Sequence, residues 1–134
     1  MIVVGVSNQN LNENSLIEKI KLLEVLDIFH AESKNGASLV CIVTHVDSKK
    51  IYARRITTQE NCNFDRETGL AVAAPGESEA IIKSVKTLPI EIYQIMTGLD
   101  RRYRLGGKGL EDAKLTHDEK KALLFIDEFY STTT

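Results

Sequence analysis

The stretch Ser38–Val46, SLVCIVTHV, decides the fold class. Read as a strand, it points Leu39, Cys41 and Val43 one way and Val40, Ile42 and Val46 the other. Both faces are apolar, which is the pattern of a strand covered on two sides and therefore central in its sheet. Asp47, Ser48 and Lys49 are turn formers, and residues 50–58 return as a second strand. Arg54 and Arg55 in this return arm place it nearer an edge, where charge is tolerated.

Working outward toward the N-terminus, Asn35 and Gly36 favour left-handed backbone and end the preceding element. That element reads as a helix over 15–33, capped by Asn14 or Ser15. Its apolar residues make two stripes: Leu16, Ile20, Leu23 and Leu26, then Leu22, Val25, Ile28 and Phe29. A helix apolar on two sides is central in its domain or shared with a partner. Residues 2–6, IVVGV, read as a buried strand, and the helix would cross over to pair it parallel with Ser38–Val46.

Toward the C-terminus, Gln59 to Ala74 is the longest loop-like segment, with room for a short strand at Leu70 to Ala73. Residues 77–87 look helical, and Pro89 suits the first turn of a helix running to about Tyr103. Leu105 to Gly109 is a basic, glycine-rich loop. Thr116 and Glu119 form a capping box that opens a last helix, with Ala122, Leu123, Ile126, Phe129 and Tyr130 along one face. The predicted order is β-α-β-β-α-α-α. This is an α+β domain spanning 1–134: a small mixed β-sheet with a β-α-β-β core and a helical C-terminal half packed on it.

A chain of 134 residues fits one domain, and 27% charged with 43% hydrophobic residues is ordinary globular composition. Lys and Arg number 17 against 19 Asp and Glu, a net charge of −2, so the basic excess of a dedicated nucleic-acid binder is absent. The longest unbroken apolar runs, such as Leu39 to Val43, are five residues, against roughly 20 for a membrane span. The N-terminus lacks the basic start of a signal peptide and turns polar at Ser7. A cytoplasmic protein with Cys41 and Cys62 as free thiols is expected. Nothing in the pattern calls for a cofactor, and none is expected.

Several residue sets carry fragments of chemistry. His30-Ala31-Glu32 copies the first half of a zinc-deaminase signature, but the Pro-Cys-x-x-Cys half is missing. His45 and Asp47 project from one strand face as two weak candidate metal ligands without a third. Cys62 would be a nucleophile if a histidine activated it, and His30, His45 and His117 are all distant in sequence. Gly106, Gly107, Lys108 and Gly109 lack the Ser/Thr of a phosphate loop. Asp65 and Glu67 are carboxylates that need a pocket to be catalytic, and pairing of Asp65 with Arg66 inside a turn is the plainer reading.

The strongest charge feature is Arg101, Arg102, Tyr103, Arg104 and Lys108. Arginine forks bind phosphate or carboxylate, and a tyrosine stacks on rings. The plain alternative is a solvated helix end complementing the macrodipole. With no complete catalytic motif, the reading that leads is a non-catalytic interaction module that binds itself or another protein. A binder of, or enzyme on, a small anionic ligand is second, using Arg54, Arg55, Asp65, Glu67 and the 101–108 cluster. Weak nucleic-acid binding through residues 101–108 is third.

Overall fold

The structure is a computed structural model, and it describes residues 15–72, 80–106 and 114–131. A short helix, α1, occupies 15–21. Five strands follow: β1 (Ile28–Ser33), β2 (Ser38–Val46), β3 (Lys50–Arg55), β4 (Asn61–Asp65) and β5 (Ala80–Ser84). Two longer helices, α2 (Ile90–Gly106) and α3 (His117–Ser131), complete the α+β fold. The sheet order is β4-β3-β2-β1-β5, and every neighbouring pair is antiparallel. The parallel pair expected from residues 2–6 lies outside the described residues.

The sheet curls until its edges meet. Residues 69–72 hydrogen-bond to β4 through Asp65 N to Leu70 O and Val72 N to Asn63 O, both 2.8 Å. The same segment bonds to β5 through Ala71 N to Ala80 O at 2.8 Å and Ile82 N to Gly69 O at 2.9 Å. Backbone pairing therefore runs around the whole curl, and a small barrel leaves no open edge there.

Strand alternation divides the apolar residues into two cores. Inward, Phe29, Ala31, Cys41, Val43, Ile51, Ala53, Phe64 and Ile82 fill the barrel, with Ile20 and Leu23 from α1 and the residues after it. Phe29 and Phe64 meet edge to face inside it, centroids 5.4 Å apart. Outward, Ile28, Val40 and Ile42 meet Met96, Leu99 and Tyr103 of α2 and Ala122, Ile126 and Tyr130 of α3. The β1–β2 pair is thus apolar on both faces because the barrel interior lies on one side and two helices lie on the other. Val46 departs from its predicted face. The ladder to β3 shifts register between Val43 and His45, so Val46 packs with the interior cluster instead of with Val40 and Ile42.

The helix expected over 15–33 ends early. Leu26 takes a left-handed φ of 78°, its N–H donates to Val43 O at 2.8 Å, and Val43 N donates back to Asp27 O at 2.8 Å. From Ile28 onward the backbone is committed to the sheet, with Phe29 and Ala31 in the interior cluster and Ile28 in the outer one. Asn35 and Gly36, expected to end that helix, instead turn the β1–β2 hairpin, with Gly36 at φ 89° and Ser33 N bonded to Ala37 O. The arm expected at an edge, β3, is paired on both sides, because β4 forms within the predicted Gln59–Ala74 loop. The helix expected at 77–87 is β5 over its described part. The capping box forms as read: Glu119 N donates to Thr116 Oγ1 at 3.2 Å, and Thr116 N to Glu119 Oε1 at 2.8 Å.

Candidate functional site

The arginine-centred residues do not assemble into one pocket. Arg54, on the outer face of β3, makes a two-pronged ion pair with Asp100 of α2, at 2.9 Å and 2.7 Å. Burial pushes the Asp100 carboxyl up, but hydrogen bonds from Arg54 and Gln59 outweigh it and hold the carboxyl below its ordinary range. Gln59 donates to Asp100 Oδ1 at 3.0 Å and to Ile56 O at 2.9 Å, which fixes its own left-handed φ of 64°. The Arg54 charge is therefore consumed in tying the β3–β4 connection to α2.

Arg102 is similarly engaged, 2.5 Å from Glu119, so it links α2 to the cap of α3. Tyr103 is buried in the outer core and is not placed to stack on a ligand. Arg101 and Arg104 are exposed, and Lys108 lies outside the described residues. Arg55 pairs with Cys41 on the inward face of the β2–β3 ladder, away from Arg54.

Asp65 and Glu67 sit elsewhere again. Asp65 pairs with Lys50 and Arg54 with Asn61, at opposite ends of one ladder. Asp65 Oδ1 accepts from Glu67 N at 2.8 Å and Thr68 N at 3.0 Å, which holds the carboxyl below its ordinary range and makes it a turn former. The expected pairing with Arg66 is replaced. Arg66 donates to Lys21 O at 2.6 Å, Leu23 O at 3.2 Å and Asp47 O at 2.6 Å, capping the carbonyl end of α1.

The weak metal candidates are structural. His45 tilts over Tyr52, centroids 5.3 Å apart. Asp47 Oδ1 accepts from the backbone of Lys49 at 2.8 Å and Lys50 at 2.7 Å, as a turn aspartate does. His30 lies on β1, with Nε2 2.9 Å from Ser38 Oγ and its ring stacked on Tyr130 at 5.1 Å. Among the described residues no group of three or more His, Cys, Asp or Glu is placed to hold a metal ion. The groups acting on the Cys62 thiol are Cys41, Glu60 and Arg55, not a histidine.

What does gather is an apolar surface at the end of the barrel where α1 stops. Leu22 is 73% exposed, Val25 49% and Leu26 57%, all within one five-residue stretch. The Tyr93 hydroxyl donates to Leu26 O at 2.8 Å and brings the start of α2 to this stretch. Ile90, one turn before Tyr93, is 66% exposed. A shallow cleft of about 100 Å³ opens beside them, lined by Leu23, Asp27, Ile28, Thr87, Leu88 and Tyr93 among others. It is well below the roughly 300 Å³ of an ordinary small-molecule pocket.

Leu22 and Val25 belong to the second predicted stripe, so half of that stripe was a visible signal. The left-handed turn that isolates them from Ile28 and Phe29 was not. Comparison with protein families, with curated proteins and with solved structures finds no match. Among the described residues no helix is long and apolar enough to cross a membrane.

Proposed function

We propose that the chain is a small cytoplasmic, non-catalytic interaction module that docks on another protein surface, a second copy included, through the apolar end of its barrel. One observation carries the reading. Leu26 is an exposed leucine held at φ 78°. Left-handed backbone costs a non-glycine residue roughly 1–2 kcal/mol, and exposure leaves this leucine little packing to offset it. Gly or Asn would serve the turn better, so we read the leucine as held for a contact made outside the described residues. Leu22, Val25 and Ile90 flank it with the same chemistry. Apolar anchors of this kind, desolvated by a partner, supply most of the energy of a docking face.

Native mass spectrometry tests this on protein purified from its own cells. The expected result is a dimer or a defined complex that Leu22→Glu dissociates while circular dichroism stays unchanged. A monomer without partner at micromolar concentration, unaltered by Leu22→Glu, overturns the reading.

A further inference from the structure

We propose that Cys62 and Cys41 are a peroxide-reactive thiol pair, with Cys62 the thiol attacked and Cys41 the thiol that closes an internal disulfide. The two are 21 residues apart in sequence and stand on β4 and β2, with β3 between them. Both side chains point into the barrel, and their Sγ atoms are 3.8 Å apart. On β3 the inward position next to Arg55, the residue opposite Cys41, is Ala53, which stands opposite Cys62. The Ala53 methyl group leaves room over β3 for the two sulfurs to meet.

The two thiols are not equivalent. Cys41 is fully buried, whereas Cys62 is only half-buried and lies nearer the surface. Arg55 is the direct cross-strand partner of Cys41, and its guanidinium Nε is buried without a hydrogen-bond partner among the described residues. Its charge favours a thiolate on either sulfur, as the smallest of the influences on each. The sulfur–sulfur contact holds the Cys62 thiol below its ordinary value against burial and the charge of Glu60, whose backbone carbonyl Cys62 also faces at 3.8 Å, while the same contact and burial push Cys41 well above. The pair therefore divides into a thiolate-prone sulfur at the rim and a protonated one behind it.

With a hydroperoxide as the oxidant the chemistry balances. The Cys62 thiolate attacks the near oxygen of hydrogen peroxide, the O–O bond breaks, and Cys62 sulfenic acid and hydroxide result. The Cys41 sulfur then attacks the Cys62 sulfur, an S–S bond forms, and the sulfenic hydroxyl leaves as water with the Cys41 proton. Two thiols lose two protons and two electrons, and the peroxide is reduced to two waters. To reach bonding distance the sulfurs must approach by about 1.8 Å, and β2 and β4, which flank β3, must draw closer than two strand spacings of about 4.8 Å each.

The test uses the whole reduced chain with hydrogen peroxide as the probe, read by intact mass and by mapping of non-reduced peptides. The expected product is a monomer lighter by two hydrogens, carrying a Cys41–Cys62 cross-link and formed without urea. In Cys41→Ala, dimedone should trap sulfenic acid on Cys62. Arg55→Met should slow iodoacetamide alkylation of Cys62 about tenfold near neutral pH. Any of three outcomes overturns the proposal: cross-links between chains only, sulfinic acid on Cys62 in the wild type with no cross-link, or a cross-link that needs urea. None of these readouts depends on the docking face, so the two readings stand or fall separately.

Discussion

At the scale of single residues, two left-handed positions carry opposite lessons. Gly69 sits at φ 76°, and a Cβ built there would lie 3.0 Å from Ile20 Cδ1 and 3.5 Å from Ile82 Cβ. Backbone strain and crowding act together, because this residue begins the segment that closes the barrel over α1. Gly69→Ala is expected to lower stability by about 2–3 kcal/mol, read as a shift in urea midpoint at constant slope. Leu26 is the reverse case. Its side chain is exposed, its N–H and carbonyl are both bonded, and its φ suits Asn better than Leu. Leu26→Asn should raise stability by about 0.5–1 kcal/mol and weaken any complex that native mass spectrometry detects. A loss of stability there would show that the leucine serves the fold, and the docking argument would lose its support.

At the scale of elements, what was legible in the sequence was what local spacing determines. The strand Ser38–Val46 showed its two covered faces through unbroken alternation of apolar side chains, and the structure returns the same bounds. The capping box was legible because both of its hydrogen bonds lie within four residues. Thr116→Ala should cost about 1 kcal/mol and speed amide exchange in the first turn of α3, where Arg102 also meets Glu119. The 15–33 segment was misread because Leu, Ile and Phe at three- and four-residue spacings satisfy a helix, although the chain uses them as helix, then turn, then strand. Only the hydrogen bonds that Leu26 N donates to Val43 O and Val43 N donates to Asp27 O, across some 17 residues, settle the break. Likewise β3 reads as nearer an edge on Arg54 and Arg55, and the partner that covers it, β4, stays hidden because it has only Phe64 as a fully buried apolar side chain. The site suffers the same limit. Arg54 with Asp100, and Cys41 with Cys62, are meetings made by register and docking, and no spacing along the chain announces them.

At the scale of the whole molecule, the barrel and its helical layer meet through the outer face of β1 and β2, and the titratable group at that seam is His30. Its ring lies against Tyr130 of α3, Nε2 is bonded to Ser38, and Nδ1 is buried with no partner among the described residues. Burial is the largest influence and lowers its pKa from the ordinary value; Glu32 and Asp127 oppose the shift, and Lys83 reinforces it. A histidine with a lowered folded pKa takes up its proton more readily in the unfolded chain. Its contribution to stability is thus complete above the unfolded value near 6.5 and declines as pH falls from there toward the folded value. Asp100 adds a second, lower window. Its carboxyl is held below the ordinary range by Arg54 and Gln59 against the opposing effect of burial, so its contribution is present above about pH 4 and is lost as pH falls below that. Both windows run in the same direction, and they are separable by substitution. Urea midpoints measured at pH 7.5, 6.5, 5.5 and 3.5 should change little between 7.5 and 6.5 in the wild type, then fall by 5.5 and again by 3.5. His30→Gln should flatten the fall between 6.5 and 5.5 and leave the loss below pH 4 in place. An unchanged slope in His30→Gln would mean that the imidazole is solvated enough to titrate alike in both states, and that the helical layer is held to the barrel without regard to its charge.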